Sequence, residues 1–286
     1  MTIIFGLLSA FSYGYADFVG ALAAKKARAI AVTSISLSIG LVIALVLSVW
    51  VGADFSPAAI NAGIYAGIAS GIALACLYAA LALGPISIVS PLTAVVSAVI
   101  PVIIDMFAGQ PLGSFALVAI GVVLVAIVLV AFVPGADVRL PSLKAFIYSL
   151  GAGFGFAGIF VFLDSAPADS GLSTLIVMRV VGIAMMFGLL LIAWLRDRKK
   201  AFIEREIFGR SLIWLIFLAG LGDVTGNVFF LIATNAGAMA IAAVLTSLYP
   251  VGTILLARVV LKERIAISQT IGIVLAVGAC ALLAVG

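Results

Sequence analysis

Few residues in this chain have side chains that could do chemistry, and most of them fall inside long apolar runs. Arg179 lies a turn and a half to two turns inside one run, and Asp223 lies in the middle of the next. A charge at that depth in a bilayer is costly unless it is paired or hydrated. The two sit at similar estimated depths and are expected to face each other. Arg179 would then bind a substrate carboxylate, and Asp223 would orient that group or carry a proton. The plainer alternative is a structural ion pair between helices, or an arginine reaching out to the surface.

Asp223 and Asn227 are four residues apart and share a helix face, whereas Thr225 points elsewhere. Gly222 and Gly226 have the same spacing and give the helix a close-packing face. One side of this helix can therefore pack while another lines a polar cavity. Asp17 is a third candidate, following Tyr13-Gly14-Tyr15-Ala16. Burial would raise the pKa of an unmatched acid and make it a candidate proton site. Pairing with Lys25 is the alternative. Asp105 falls near the end of its run and reads as interfacial.

Tyr13, Phe154, Tyr78 and Tyr249 fall at midplane depths, where aromatic rings would suit flat, apolar or cationic substrates. Ordinary packing is the competing reading. Ser97 and Thr246, on two proline-bearing runs, complete the candidate binding set. Gly63, Gly67 and Gly71 form a small-residue stripe that packing alone explains.

Composition fixes the elements that carry these residues. The chain has 286 residues, 66% of them hydrophobic and only 9% charged. Its mean hydropathy is +1.42. Soluble domains carry about 25% charged residues, so this is an all-α protein that crosses the membrane many times. At about 20 residues per span, the length allows roughly ten helices. They are predicted at 3–23, 31–51, 60–82, 86–107, 113–133, 144–163, 172–195, 210–232, 238–260 and 267–285. Gly84-Pro85, Gln110-Pro111, Pro134-Gly135 and Asn235-Ala236-Gly237 read as tight turns.

The run Ala240–Arg264 has Tyr249-Pro250 at its middle, and Ile86–Gln110 has Pro101 in the matching place. Proline removes a backbone donor and bends a helix, so both are expected to be hinge or kink positions. The two prolines are 149 residues apart, about half the chain. Tyr13-Gly14-Tyr15-Ala16 is likewise matched by Phe154-Gly155-Phe156-Ala157, and Gly121 by Gly272. Asp17 has Gly158 at its equivalent, so the repeated fold does not require that charge. Two five-span repeats are expected, 1–137 and 138–286. An odd span count inserts them in opposite senses and puts a central cavity and binding site near the midplane between them.

Lys and Arg gather in four connections: at 25–28, 139–144, 196–210 and 258–264. All four fall on one side of a ten-span arrangement. The positive-inside rule makes that face cytoplasmic and leaves both termini outside. The N-terminus lacks a basic n-region, so a cleaved signal is not expected. The two cysteines, Cys76 and Cys280, read as small buried residues. The absence of histidine excludes His-based catalysis and His metal sites. No cofactor is expected. Nucleic-acid binding is not implied, because the basic residues form loop clusters rather than a face.

The motifs Leu245–Pro250, then Leu261-Lys262-Glu263-Arg264, then Gly272, with Ala79–Pro101 and Gly121 as a first copy, resemble the drug/metabolite transporter superfamily in its ten-helix EamA-type branch. The resemblance covers the whole chain. It implies a 5+5 helix bundle in the bacterial inner membrane that exports or exchanges small metabolites. Gly109-Gln110-Pro111 replaces the Lys-Glu-Arg turn in the first copy, a structural departure. Within the family, the cavity chemistry is similar to aromatic amino-acid exporters of the YddG type.

One candidate cation, one or two acids and several aromatics suit a neutral or zwitterionic amino acid better than a phosphate ester, which needs several basic groups. No phosphate-binding loop is present, so direct ATP drive is not expected. The expected function is export of apolar or aromatic amino acids by alternating access, by a monomer. The alternative is proton-coupled export of lipophilic cations, whose site should not contain Arg179. A membrane-embedded enzyme would need a base and metal or phosphate ligands, and no such cluster is found.

Overall fold

The structure is a computed structural model that describes residues 1–24, 26–27, 29–83, 86–109, 112–131, 142–196, 209–262 and 266–285. It is helical almost throughout. The elements are α1 (Thr2–Ala24), α2 (Ala29–Val51), α3 (Pro57–Leu83), α4 (Ile86–Phe107), α5 (Ser114–Ala131), α6 (Leu143–Asp164), α7 (Ser173–Arg196), α8 (Arg210–Asn235), α9 (Met239–Thr246), α10 (Tyr249–Val260) and α11 (Ile267–Val285). α9 and α10 are two pieces of one span, which gives ten spans. Their ends differ from the expected ones by at most three residues. Seven spans are long and apolar enough to cross a bilayer, and the stretches Leu92–Phe107, Ser114–Val130 and Ile267–Leu283 are shorter apolar helices.

Helices dominate because lipid offers no partner for backbone groups, so each span must satisfy its own. Their outer faces carry Val42, Leu45, Trp50, Phe115, Val125, Trp214 and Val274, all exposed. Their inner faces are rich in alanine, glycine and serine, which allow close approach of backbones. A Cβ built at Gly63, Gly67 or Gly71 would stand within 2.6 Å of Val177, Val181 or Met185. The stripe on α3 therefore receives a ridge of α7, the packing role expected of it. Gly272 packs on α5 in the same way, but its repeat partner Gly121 meets nothing within 4 Å. That shared glycine serves packing in one copy only.

The packing pattern shows the two-fold relation of the repeats. Almost every major interface joins one half to the other. α3 packs on α6 as α1 packs on α8, and α3 on α7 as α2 on α8. α4 packs on α6 as α1 packs on α9 and α10. α2 with α7, α4 with α9, and α5 with α11 are each their own counterpart. Two inverted five-span repeats thus interdigitate.

The two faces are chemically distinct. One holds Thr2, the 52–56 and 165–172 connections and the α8–α9 turn. The other holds Lys26, Lys144, Arg210 and Lys262. Lys25, Arg139, the basic segment 197–208 and Glu263-Arg264 lie outside the described residues, as do the turns at Gly84-Pro85, Gln110-Pro111 and Pro134-Gly135. The Asn235–Gly237 turn is seen, with Gly237 N–H donating to Thr234 O at 3.2 Å.

The two proline spans differ in local structure. Pro101 lies buried within a continuous α4, whereas the span carrying Pro250 is broken at Ser247-Leu248. Pro250 there sits in the first turn of α10, where a missing N–H costs no helical bond. The two prolines share a position in the repeat but not a local structure.

Candidate functional site

The candidate residues of the charged group lie on α1, α7 and α8. α8 presents Gly222 and Gly226 to α1. A Cβ at Gly226 would stand 3.0 Å from the Tyr13 ring, and one at Gly222 2.9 Å from that of Tyr15. The Tyr13 ring therefore lies against the α8 backbone, and Ser9 Oγ–H donates to Gly226 O at 2.8 Å to hold the pair in register. The next face of α8 carries Asp223.

Arg179 Nη1 is ion-paired with Asp223 Oδ2. The partners differ in exposure: the Arg179 side chain is 1% exposed and that of Asp223 is 32% exposed. The guanidinium is enclosed between α7, α8 and α2, and a Cβ at Gly40 would stand 3.0 Å from Nη1. Only a glycine leaves room for it. Arg179 Nε and Nη2 are buried with no hydrogen-bond partner among the described residues. Asn227 Nδ2 donates to Asp223 O at 2.9 Å, and its buried Oδ1 has no partner among the described residues. Thr225 Oγ1 donates to Leu221 O and stays within its own helix.

Asp17 is exposed. It shares a helix face with Tyr13, four residues back, about a third of a turn round from the lipid-facing Phe11. Its charge lies close enough to that of Asp223 for the two to interact, and Tyr13 is within reach of Asp17, Asp223 and Arg179. These four side chains form one cluster, in which the accessible charges are the two carboxylates. The proposed Lys25 partner of Asp17 lies outside the described residues.

The remaining candidates are not all in this cluster. Ser97 Oγ lies 3.3 Å from Ser247 Oγ, across the interface of the halves, and Ser97 also donates to Ala94 O. Thr246 is buried at the end of α9, with Oγ1 unpartnered among the described residues. Tyr249 opens α10, and its carbonyl accepts from Thr253 Oγ1, which also donates to Gly14 O at 3.1 Å. Phe154 is 56% exposed on α6, a helix that packs on α3 and α4. Tyr78 lies on α3, and its side chain is outside the described residues.

Asp105 corrects the sequence reading. It is buried, and its Oδ2 accepts from Ala240 N at 2.7 Å. It therefore caps α9 from the opposite half of the chain, where the helix's own N-cap residue, Ala238, has no side chain able to do so. Nothing local in the sequence marks a cap supplied by another helix.

The EamA-like transporter family is matched twice, over residues 1–132 and 143–285. With this fold and repeat, the chain belongs to that family, within the drug/metabolite transporter superfamily, and is a membrane transporter of small molecules. A solved structure titled only as the crystal structure of a protein superimposes with a TM-score of 0.77 at 14% identity, covering 99% of this chain and 96% of that one. That likeness supports the fold. No curated protein matches the sequence.

Proposed function

We propose that this transporter carries small organic amines across the membrane in exchange for protons, by alternating access around Tyr13, Asp17 and Asp223. The observation behind this reading is the partition of charge. Arg179 is 1% exposed and paired, while Asp17 is open and Asp223 keeps 32% of its side chain exposed. A visiting molecule meets two carboxylates and a tyrosine before it meets the guanidinium. With both acids ionised, the three charges leave one net negative. One ammonium group neutralises it, and so does one proton on an acid. Cation and proton therefore compete for the same compensated state, which is the requirement for exchange. The Tyr13 ring adds apolar and cation–π contact.

A second reading is export of amino acids with apolar or aromatic side chains. It is favoured by the two unpartnered donors of Arg179, which could take a substrate carboxylate once the pair with Asp223 opens. Both readings place the protein in a bacterial inner membrane, with basic loops cytoplasmic, both termini outside, repeats divided near residue 137, and the monomer as the working unit.

The test is flux into proteoliposomes of a labelled lipophilic monocation and of phenylalanine, tryptophan, methionine and threonine, with and without a pH gradient. Saturable cation flux that needs the gradient and is lost in Asp17→Asn supports the first reading. Amino-acid flux with the cation inert overturns it in favour of the second.

A further inference from the structure

The ends of α1 and α8 meet on the basic face. Lys26 N–H donates to Ala23 O at 2.9 Å and Ala27 N–H to the same carbonyl at 3.0 Å, so the chain turns directly after α1. Beneath this turn Ala23 packs with Leu212 and Ile216 of α8 and Val32 of α2. That packing fixes which side of α8 faces inward. It also brings Lys26 to the first turn of α8, where Lys26 Nζ donates to Ser211 Oγ at 3.2 Å. Arg210 is the chain neighbour of Ser211, and all three residues are exposed.

These charges lack a counter-charge. Lys26 uses one of its three donors on a neutral hydroxyl, and neither Lys26 nor Arg210 has an ionic partner among the described residues. No described acid lies in a connection on this face, whereas Asp54 and Asp169 lie in connections on the other. Lys25 and Arg28 add positive charge beside Lys26 in the sequence. Two cations held at one place, with nothing negative among the described residues to meet them, suit an anion.

The anion must also fit what continues along α8. Arg210, Trp214, Phe217 and Leu221 have the spacing of one helix face. It is the face opposite the buried Leu212, Ile216, Ala219 and Gly220. Trp214 is 54% exposed, Phe217 and Leu221 are each 36% exposed, and the two rings meet edge to face with centroids 5.7 Å apart. In a membrane this stripe touches lipid, and tryptophan is favoured at the headgroup level. A free phosphate would use only the basic end. A phospholipid uses both ends, with its phosphate at Lys26 and Arg210, its glycerol beside Trp214 and an acyl chain along Phe217 and Leu221. A zwitterionic headgroup would bring its own cation against these two, and an anionic one does not.

We propose that the α1–α8 edge of the basic face is a binding site for one anionic phospholipid. The bound lipid ties the end of α1 to the start of α8, the helices that carry Tyr13, Asp17 and Asp223. The proposal is independent of the substrate reading.

The test is native mass spectrometry of the full chain in detergent, titrated with phosphatidylglycerol or with phosphatidylcholine of the same acyl chains. The first phosphatidylglycerol should bind about tenfold more tightly than phosphatidylcholine. Lys26→Gln and Arg210→Gln should each weaken it about fivefold and leave phosphatidylcholine unchanged, since each basic group near an anionic headgroup contributes about that factor. Lys144→Gln, on the same face but on α6, should keep the preference. If the double variant Lys26→Gln with Arg210→Gln does not fold, Ser211→Ala, which removes the hydroxyl that holds Lys26, replaces it with the same direction. Equal binding of the two lipids by the parent overturns the proposal. So does a preference that survives the double variant, or one that falls as far in Lys144→Gln. Displacement of the lipid by excess inorganic phosphate also overturns it, because the site would then be one for the free anion. No substrate is present, so a failed amine-flux assay leaves this result standing, and the reverse also holds.

Discussion

Neutralising Asp223 should harm folding more than removing Arg179, although the two form one ion pair. The perturbation is Asp223→Asn against Arg179→Met, each close in shape to the parent residue. In Asp223→Asn the guanidinium stays 1% exposed and loses its one ionic partner among the described residues, where Nε and Nη2 are already unpartnered. Leaving a buried charge uncompensated costs about 3–5 kcal/mol. In Arg179→Met the orphan is a carboxylate with 32% of its side chain exposed, which water can reach. Its cost should be about 1–2 kcal/mol, the scale of a lost surface-accessible charge partner plus minor repacking. The double variant removes both charges and should recover most of the loss, because it leaves no buried charge. Thermal unfolding of the purified protein in one detergent reads the order: Asp223→Asn lowest, then Arg179→Met, with the double variant above Asp223→Asn. A melting point for Arg179→Met at or below that of Asp223→Asn would refute the reasoning, since it would mean the arginine is the solvated partner.

Other substitutions test separate parts of the structure. Gly67→Val puts a Cβ 2.5 Å from that of Val181 and should destabilise the α3–α7 contact by more than about 2 kcal/mol, read as lost folded yield in gel filtration. Gly121→Val, with nothing within 4 Å, is its tolerated control. Asp105→Leu removes the cap on α9 and should cost about 1–2 kcal/mol, seen as a lower melting point, with Asp105→Asn retaining part of it. Thr253→Val loses donors to Gly14 O and Tyr249 O and should cost about 1 kcal/mol in the same assay, because the valine cannot replace either bond.

Composition alone determined that this chain is a polytopic helical membrane protein, because no water-soluble core could bury so large an apolar fraction. Span positions followed from the length of apolar runs, since every span must cover the same hydrocarbon thickness. The repeat was legible from Pro101 and Pro250 and from the aromatic-glycine pairs, because inverted halves need the same backbone approach at the same depth. The sequence also brought Arg179 and Asp223 into focus, as charges are too costly in lipid to stand alone.

Only the tertiary structure decided which of that pair is reachable. Exposure depends on what packs behind a side chain, and here Gly40 on a distant helix leaves the space that the guanidinium fills. The same holds for Asp105, whose partner is a backbone N–H at the start of α9, 135 residues further along the chain. The unequal fates of Pro101 and Pro250 were likewise out of reach. A proline states only that a helical bond is missing; whether the helix breaks there depends on the packing and capping of the span, and those belong to the conformer.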